Sequence, residues 1–318
     1  MKSSAVAHPI QGLVKYHGLA DPDLRIPYHD SISLCTEPSR TWTTVEFGYD
    51  DDTAVVDGET LEEPLRAGKV LDRVREMSDV DSGAHVESEN SFPSNVGLGS
   101  SSSGFAALAR AACDAAGLQP SLEEVSAVAR LGSSSAARSV TGGFSHLHVS
   151  DDPTDCVSRR IDDGFDGEIR VVTALVPEYK ETSRAHREAE KSPLFRGRMS
   201  YVHDDVRRMR RGVRKGSFDD VFPLAERDSL SLLAVTMTGP DNWIYWRPET
   251  LELYEIVRDL RETEDVSVYL STDTGATAYL NTVEEDVDRV VEAVENLGLE
   301  SRIWTLGGKT HLTEDHLF

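Results

Sequence analysis

PSNVGLGSSSSGFAALA, residues 93–109, is the stretch from which the rest of the chain is read. Gly97 and Gly99 lack the Cβ that keeps a backbone away from an anion, and Ser100, Ser101, Ser102 and Ser103 offer hydroxyl and amide donors. The alanine-rich run GFAALARAACDAAG (104–117) predicts a helix whose positive dipole end faces this loop. Together these features make a phosphate cradle. The alternative is a flexible serine-rich linker, but a linker does not run straight into such a helix. The common GxxxxGK[ST] phosphate loop is absent: Gly308-Lys309-Thr310 has Ile303 where the first glycine would have to stand.

Working outward from the loop, residues 31–36 (SISLCT), 41–47 (TWTTVEF) and 53–56 (TAVV) are β-rich and separated by turn formers, which predicts strands before the cradle. After it, Ser121 with Glu124 predicts a capping box opening the helix LEEVSAVARLG. FSHLHVS (144–150) reads as a strand, followed by an acidic, turn-rich stretch around 151–167 and a fresh strand at 169–177. The expected domain boundary falls there, giving 1–167 and 168–318. The second part predicts helices near 201–214, 217–237 and 249–263, strands at 266–271 and 277–282, an amphipathic helix over 283–298 and a last strand SRIWTL. Interleaved helices and strands with short connections indicate the α+β class.

A chain of 318 residues is long for one core, so two packed domains are expected. No apolar run approaches the ~20 residues of a spanning helix, and the apolar stretch in MKSSAVAHPI is too short for a signal peptide. A cytoplasmic protein without a membrane partner is the expectation. Cys35, Cys113 and Cys156 form no CxxC pair and are read as reduced structural thiols. Against 33 Lys+Arg stand 56 Asp+Glu, a formal charge of −23 that disfavours nucleic acid as a partner. Only seven of the basic residues are lysine while acids are spread along the whole chain, a surface that molar salt screens by shortening the Debye length to ~3 Å. A salt-rich cytoplasm is therefore expected; the alternative is an acidic protein of ordinary surroundings.

The Pro-x3-Gly-Leu-Gly-Ser-Ser loop resembles the nucleotide loop of the GHMP kinase superfamily, and three further segments narrow the resemblance to the mevalonate diphosphate decarboxylase family. Lys15-Tyr16-His17-Gly18 followed by LRIPYHDSISL resembles that family's Lys-Tyr-Trp-Gly-Lys segment and the Pro-x3-Ser-Ile-Ser strand after it. Gly132-Ser133-Ser134-Ser135-Ala136-Ala137-Arg138-Ser139, leading into Gly142-Gly143-Phe144, resembles its Gly-Ser-Gly-Ser-Ala-Cys-Arg-Ser and Gly-Gly-Tyr/Phe. Ser271-Thr272-Asp273-Thr274-Gly275-Ala276 resembles its Phe-Asp-Ala-Gly-Pro-Asn segment. The glycine-serine loop alone would serve other GHMP kinases equally, whereas the Lys15 and Arg138 segments are specific to decarboxylases.

The resemblance implies a GHMP kinase fold, with an N-terminal domain like ribosomal protein S5 domain 2, a C-terminal ferredoxin-like domain and the active site between them. It implies ATP and Mg2+ as cofactors and a phosphorylated mevalonate as the small-molecule substrate. It also implies roles: Asp273 as the base that meets the C3 hydroxyl, Arg138 as the clamp on the C1 carboxylate, and Lys15 as the stabiliser of phosphoryl transfer. Tyr16 and Ser135 would contact substrate, and Gly97, Gly99 and Ser100 to Ser103 the nucleotide, Ser100 and Ser101 touching its phosphates. The magnesium ligands are left unassigned, and a homodimer is left open. Taken alone, Arg138 could be a surface arginine and Asp273 an Asx-turn residue.

One departure bears on the substrate. Leu19 stands where diphosphate-using members carry a second lysine, and His17 where they carry tryptophan. A leucine supplies no charge-assisted hydrogen bond, which suits a smaller anion. The family includes an archaeal branch, with salt-loving members, that converts mevalonate 5-phosphate to isopentenyl phosphate, and that reaction is the expected one. A diphosphomevalonate decarboxylase, a GHMP small-molecule kinase without decarboxylation, and a non-catalytic nucleotide-binding module are the rivals. His146 and His148 alternate on a strand but have no third ligand at zinc spacing and are read as structural. Arg207, Arg208, Arg210 and Arg211 surround a helix rather than forming one face, and are expected to pair with nearby carboxylates.

Overall fold

The computed structural model describes residues 1–61, 65–92, 98–176 and 182–318. Its helices are α1 (Leu65–Glu76), α2 (Ser100–Ala115), α3 (Leu122–Gly132), α4 (Ala136–Thr141), α5 (Thr182–Lys191), α6 (Phe195–Lys215), α7 (Phe218–Met237), α8 (Pro248–Glu264) and α9 (Val287–Asn296). Interleaved with them are mainly antiparallel sheets, the α+β arrangement that the alternating patterns predict.

The first sheet runs His311–Thr313, Lys2–Ala7, Thr41–Tyr49, Gly83–Asn90, Thr53–Val56, Glu59–Thr60. Its inner face meets α1, α2 and α3 through a core of Ala5, Ala7, Val45, Val86 and the alanines of α2. Those alanines let the helix backbone lie close to the strands, and α2 is buried along most of its length. The capping box at Ser121 and Glu124 is formed.

The second sheet orders Ser158–Arg160, Phe144–Leu147, Ser31–Glu37, Glu300–Leu306, Ile169–Leu175, Ala278–Val283 and Val268–Thr272. The strand Ile169–Leu175 is apolar on both faces for a reason visible in its packing. Ile169 and Val171 point to a core with α6 and α7, whereas Val172 and Ala174 point to one with α8 and α9. The last strand of the chain returns to pair Ser4 with Thr313 in the first sheet.

The two layers meet at Ile10–Val14. This strand pairs with Ser31–Glu37, with a register irregularity between Gly12 and Val14, and lies against α6, α7 and Val268–Thr272. The Gln11 amide nitrogen donates to Asn281 Oδ1 at 2.9 Å across the junction. A bulge of this kind re-aims the side chains beyond it, and the first residue past the strand is Lys15.

Candidate active site

Lys15 emerges from that strand into the interior, 5% exposed. Its ammonium donates to Ser229 Oγ at 3.0 Å and lies 3.7 Å from Asp228 Oδ2, both on α7. The same carboxylate accepts the Lys15 backbone N–H at 3.0 Å and, through Oδ1, Arg198 Nη2 at 2.6 Å. Arg198 Nη2 also donates to the Lys15 carbonyl at 2.7 Å. One buried carboxylate thus shares two cations and a backbone amide. Burial pushes the Lys15 ammonium below the ordinary lysine value, while the charges of Asp228 and then Asp273 act to hold its proton.

Asp273 sits in the turn between Val268–Thr272 and Ala278–Val283. Its Oδ1 accepts the Gly12 N–H at 3.0 Å, and the Tyr279 hydroxyl donates to the same carboxylate. A Cβ on residue 12 would come within 2.7 Å of Lys15 Cγ and 3.0 Å of Asp273 Oδ1. Glycine fits there because the side chains of Lys15 and Asp273 converge over its Cα.

Arg138 projects from α4, the short helix after the serine run, and is 3% exposed. Its guanidinium lies 5.6 Å from the Tyr16 ring centroid, and its Nε and Nη1 have no hydrogen-bond partner. Burial draws it below the ordinary arginine value, and Tyr16 and Asp273 are the groups whose charge opposes that. A buried, unpaired guanidinium is costly unless a ligand completes it, and a carboxylate matches its fork. Arg138, Tyr16, Lys15 and Asp273, drawn from separate segments of the sequence, therefore line one site. Ser135 is half-buried at the start of α4, its hydroxyl bonded to Ser133 Oγ at 2.8 Å.

At the cradle, Gly99 caps α2 with φ +79°, in the left-handed region that favours glycine. Ser102 and Ser103 are buried and used within the protein. Ser102 Oγ accepts the Ile10 N–H at 3.2 Å, tying the loop to the strand that leads to Lys15, and Ser103 Oγ bonds Thr41 Oγ1 at 2.6 Å. Ser100 and Ser101 are the more open of the four, at the N-terminal end of the helix. Gly97 lies outside the described residues.

Sequence reasoning did not single out Gly12, Arg198, Asp228, Ser229 or Tyr279. The available signal was weak: Asp228 and Ser229 are polar residues on the mostly apolar buried face of α7, which also carries Glu226 and Thr236. Nor did it see how α5 closes over the segment after Lys15. His186 stacks on Tyr16 at 5.6 Å and accepts the Gly18 N–H through Nδ1 at 2.9 Å, while Glu190 Oε1 accepts the Leu19 N–H at 2.8 Å. His146 and His148 both bond Asp30 Oδ2, at 2.8 and 3.4 Å. Among the described residues no group of three or more His, Cys, Asp or Glu could hold a metal.

Residues 7–158 match the family described as diphosphomevalonate decarboxylase-like N-terminal domain. The chain is 53% identical to the phosphomevalonate decarboxylase of Haloferax volcanii, over 99% of this chain and 98% of that protein. It is 29% identical to the human diphosphomevalonate decarboxylase, over 89% of this chain and 77% of that one. Among solved structures, the mevalonate diphosphate decarboxylase of Staphylococcus aureus superposes with a TM-score of 0.93 over 98% of both chains at 22% identity. A structure of MDDEF in complex with MVAPP, AMPPCP and magnesium superposes with 0.91 over 99% of both at 25% identity.

Proposed function

The chain belongs to the diphosphomevalonate decarboxylase-like family, and we propose that it catalyses the ATP-dependent decarboxylation of mevalonate 5-phosphate to isopentenyl phosphate, carbon dioxide, ADP and phosphate. The observation that carries this reading is the buried guanidinium of Arg138, its Nε and Nη1 without a hydrogen-bond partner, beside Asp273. A kinase needs the base and the lysine, whereas decarboxylation also requires the carboxylate to be held in line with the carbon from which the phosphate departs, and that is the position a fixed guanidinium supplies.

A carboxylate β to a tertiary alcohol does not leave as carbon dioxide unless the hydroxyl becomes a leaving group. ATP, with Mg2+ on its phosphates, supplies the phosphoryl group that makes it one. Asp273, held by Gly12 N–H and the Tyr279 hydroxyl, points one carboxylate edge at the C3 hydroxyl and takes its proton. Lys15, braced by Ser229 and Asp228, places positive charge where the transferred group passes. Arg138 over the Tyr16 ring holds the C1 carboxylate. When phosphate departs from C3, the developing positive charge draws the electron pair of the C–CO2 bond into an alkene. The buried surroundings of Arg138 and Lys15 keep water from that carbon. Ser100 and Ser101 are the serines best placed for the nucleotide phosphates, with Gly99 giving the loop its approach. Magnesium would be held largely through the nucleotide's phosphate oxygens and water, and would neutralise charge on them.

Two observations support the monophosphate over the diphosphate. Leu19 offers an apolar side chain, and its backbone N–H is taken by Glu190, a second anion rather than a second cation. Arg184, one of the cations on α5, lies over Trp243 and pairs with Asp241 at 3.6 Å. On the same reading the chain divides into 1–167 and 168–318, and it works in a salt-rich cytoplasm. No helix among the described residues is long and apolar enough to cross a membrane. The test is kcat/KM for mevalonate, its 5-phosphate and its 5-diphosphate, with carbon dioxide and ADP both measured. The 5-phosphate should give the highest value. A higher value for the diphosphate would overturn the reading of Leu19, and ADP without carbon dioxide would make the protein a kinase.

A further inference from the structure

Helix α5 braces the segment that carries Lys15 and Tyr16, and it does so from one face. His186 and Glu190, one turn apart, both take backbone amides of that segment: His186 Nδ1 accepts the Gly18 N–H at 2.9 Å and Glu190 Oε1 accepts the Leu19 N–H at 2.8 Å. The approach is close, since a Cβ on residue 18 would come within 2.9 Å of Glu190 Cγ. The helix is in turn fixed to the end of α7. Glu188 Oε2 accepts the Asp241 N–H at 2.9 Å, and Ser192 Oγ, just past the end of α5, bonds Thr238 Oγ1 at 2.7 Å.

The bond from Gly18 places the imidazole proton on Nε2 and sets the rotation of the ring. That ring is buried and lies 12° from parallel to the Tyr16 ring, with centroids 5.6 Å apart. Arg138 meets the same Tyr16 ring, its Cζ 5.6 Å from the centroid. Because Arg138 Nε and Nη1 have no hydrogen-bond partner, bonds at those two atoms do not set the direction of the fork, and the ring of Tyr16 is the aromatic surface it lies against. His186, Tyr16 and Arg138 thus form a line of contacts from α5 to the guanidinium.

We infer that His186 is a positioning residue for decarboxylation, acting through Tyr16 on the aim of Arg138. The inference rests on the decarboxylase reading and adds to the clamp on the C1 carboxylate a support outside the resembling motifs. The two halves of the reaction depend on that support unequally. Transfer of the γ-phosphoryl group of ATP to the C3 oxygen, with the hydroxyl proton passing to Asp273, uses Asp273 and Lys15 and releases ADP. Departure of phosphate from C3, with the electron pair of the C–CO2 bond becoming the alkene, releases carbon dioxide and needs the carboxylate held in line. A slack Arg138 therefore lowers carbon dioxide more than ADP.

Measuring both products from the full chain with saturating ATP and mevalonate 5-phosphate tests this. Carbon dioxide per ADP is a property of each turnover and does not depend on how much of a variant is folded. Wild type should release one for one. His186→Asn keeps an acceptor for the Gly18 N–H but has no ring, so carbon dioxide per ADP should fall about threefold to tenfold, with C3-phosphorylated substrate appearing in solution. His186→Phe keeps a ring against Tyr16 and should stay close to wild type. An unchanged ratio in His186→Asn would overturn the inference and leave His186 a purely structural residue. An equal fall in His186→Phe would overturn it too, because the ring would then not be what steadies Tyr16. Wild-type protein that released ADP without carbon dioxide, or neither, would instead bring down the decarboxylase reading, which separates the two failures.

Discussion

Asp228→Asn is the substitution that most directly tests how the site is assembled. The Asp228 side chain is completely buried, and every direction around it holds a donor: Arg198 Nη2 at Oδ1, and the Lys15 N–H and ammonium at Oδ2. Asparagine keeps the shape but turns one oxygen into a donor. With the amide nitrogen at the Oδ1 position it faces the guanidinium; turned over, it faces Lys15. Either way a buried donor loses its acceptor, and two cations are left without their shared anion. Removing one partner of a buried pair costs about 3–5 kcal/mol. For a protein of this size that is a fall in Tm on the order of 10 °C. A second readout separates function from folding. Asp228 is the largest charge acting against the burial that lowers Lys15, so its loss lets the ammonium deprotonate at lower pH. The alkaline limb of kcat/KM against pH should therefore move to lower pH in the folded variant. Calorimetry and a pH–rate series on wild type and variant measure both effects. A variant with wild-type Tm and an unmoved alkaline limb would refute the dependence of Lys15 on Asp228.

Asp273→Asn should abolish carbon dioxide release while ATP binding persists, since the proton acceptor goes and the volume stays; near wild-type release would remove Asp273 from the mechanism. His29 is buried with Arg198 and His203 nearby, Asp228 acting the other way and the Asp30 carbonyl on Nδ1, and burial pulls it from 6.5 to about 4. The unfolded chain therefore takes up this proton first. Stability from the neutral ring is complete above about pH 6.5 and falls by about 3 kcal/mol on going to pH 4, a component that unfolding of His29→Gln at pH 7 and pH 4.5 should lack. With a formal charge of −23, the fold should lose stability in dilute buffer. A Tm that stays flat from dilute buffer to molar potassium chloride would contradict the salt-adapted reading.

Much of the fold was legible because its signals are local. The capping box at Ser121, the strands at 31–37 and 41–49, and the long helices α6, α7 and α8 follow from periodicity and end residues. The opening strands Lys2–Ala7 and Ile10–Val14 were not anticipated. Gly12 and Gln11 carry little β signal; Lys2–Ala7 forms because strands pair with it on both sides, and Ile10–Val14 because Ser31–Glu37 pairs with it while α6 and α7 cover it. Helix α1 was missed for a related reason: its apolar residues Val70, Leu71 and Val74 are sparse among charges, and packing against α2 and α3 decides it.

The chemically able residues and the backbone each requires can be read along the chain: a glycine-serine loop that ends on a helix, an arginine after a serine run, an aspartate in a turn, a lysine after a strand. These depend on neighbours a few positions away, so they are written in contiguous text. Packing alone brings Lys15, Asp228 and Asp273 together, leaves Gly12 bare beneath them, and spends Ser102 and Ser103 on Ile10 and Thr41. It also decided that Arg138 Nε and Nη1 are buried without a hydrogen-bond partner among the described residues. The reason is physical: the charge state and reach of these groups depend on burial and on partners more than 200 residues away, and both exist only once α7 and the two sheets have packed around Ile10–Val14.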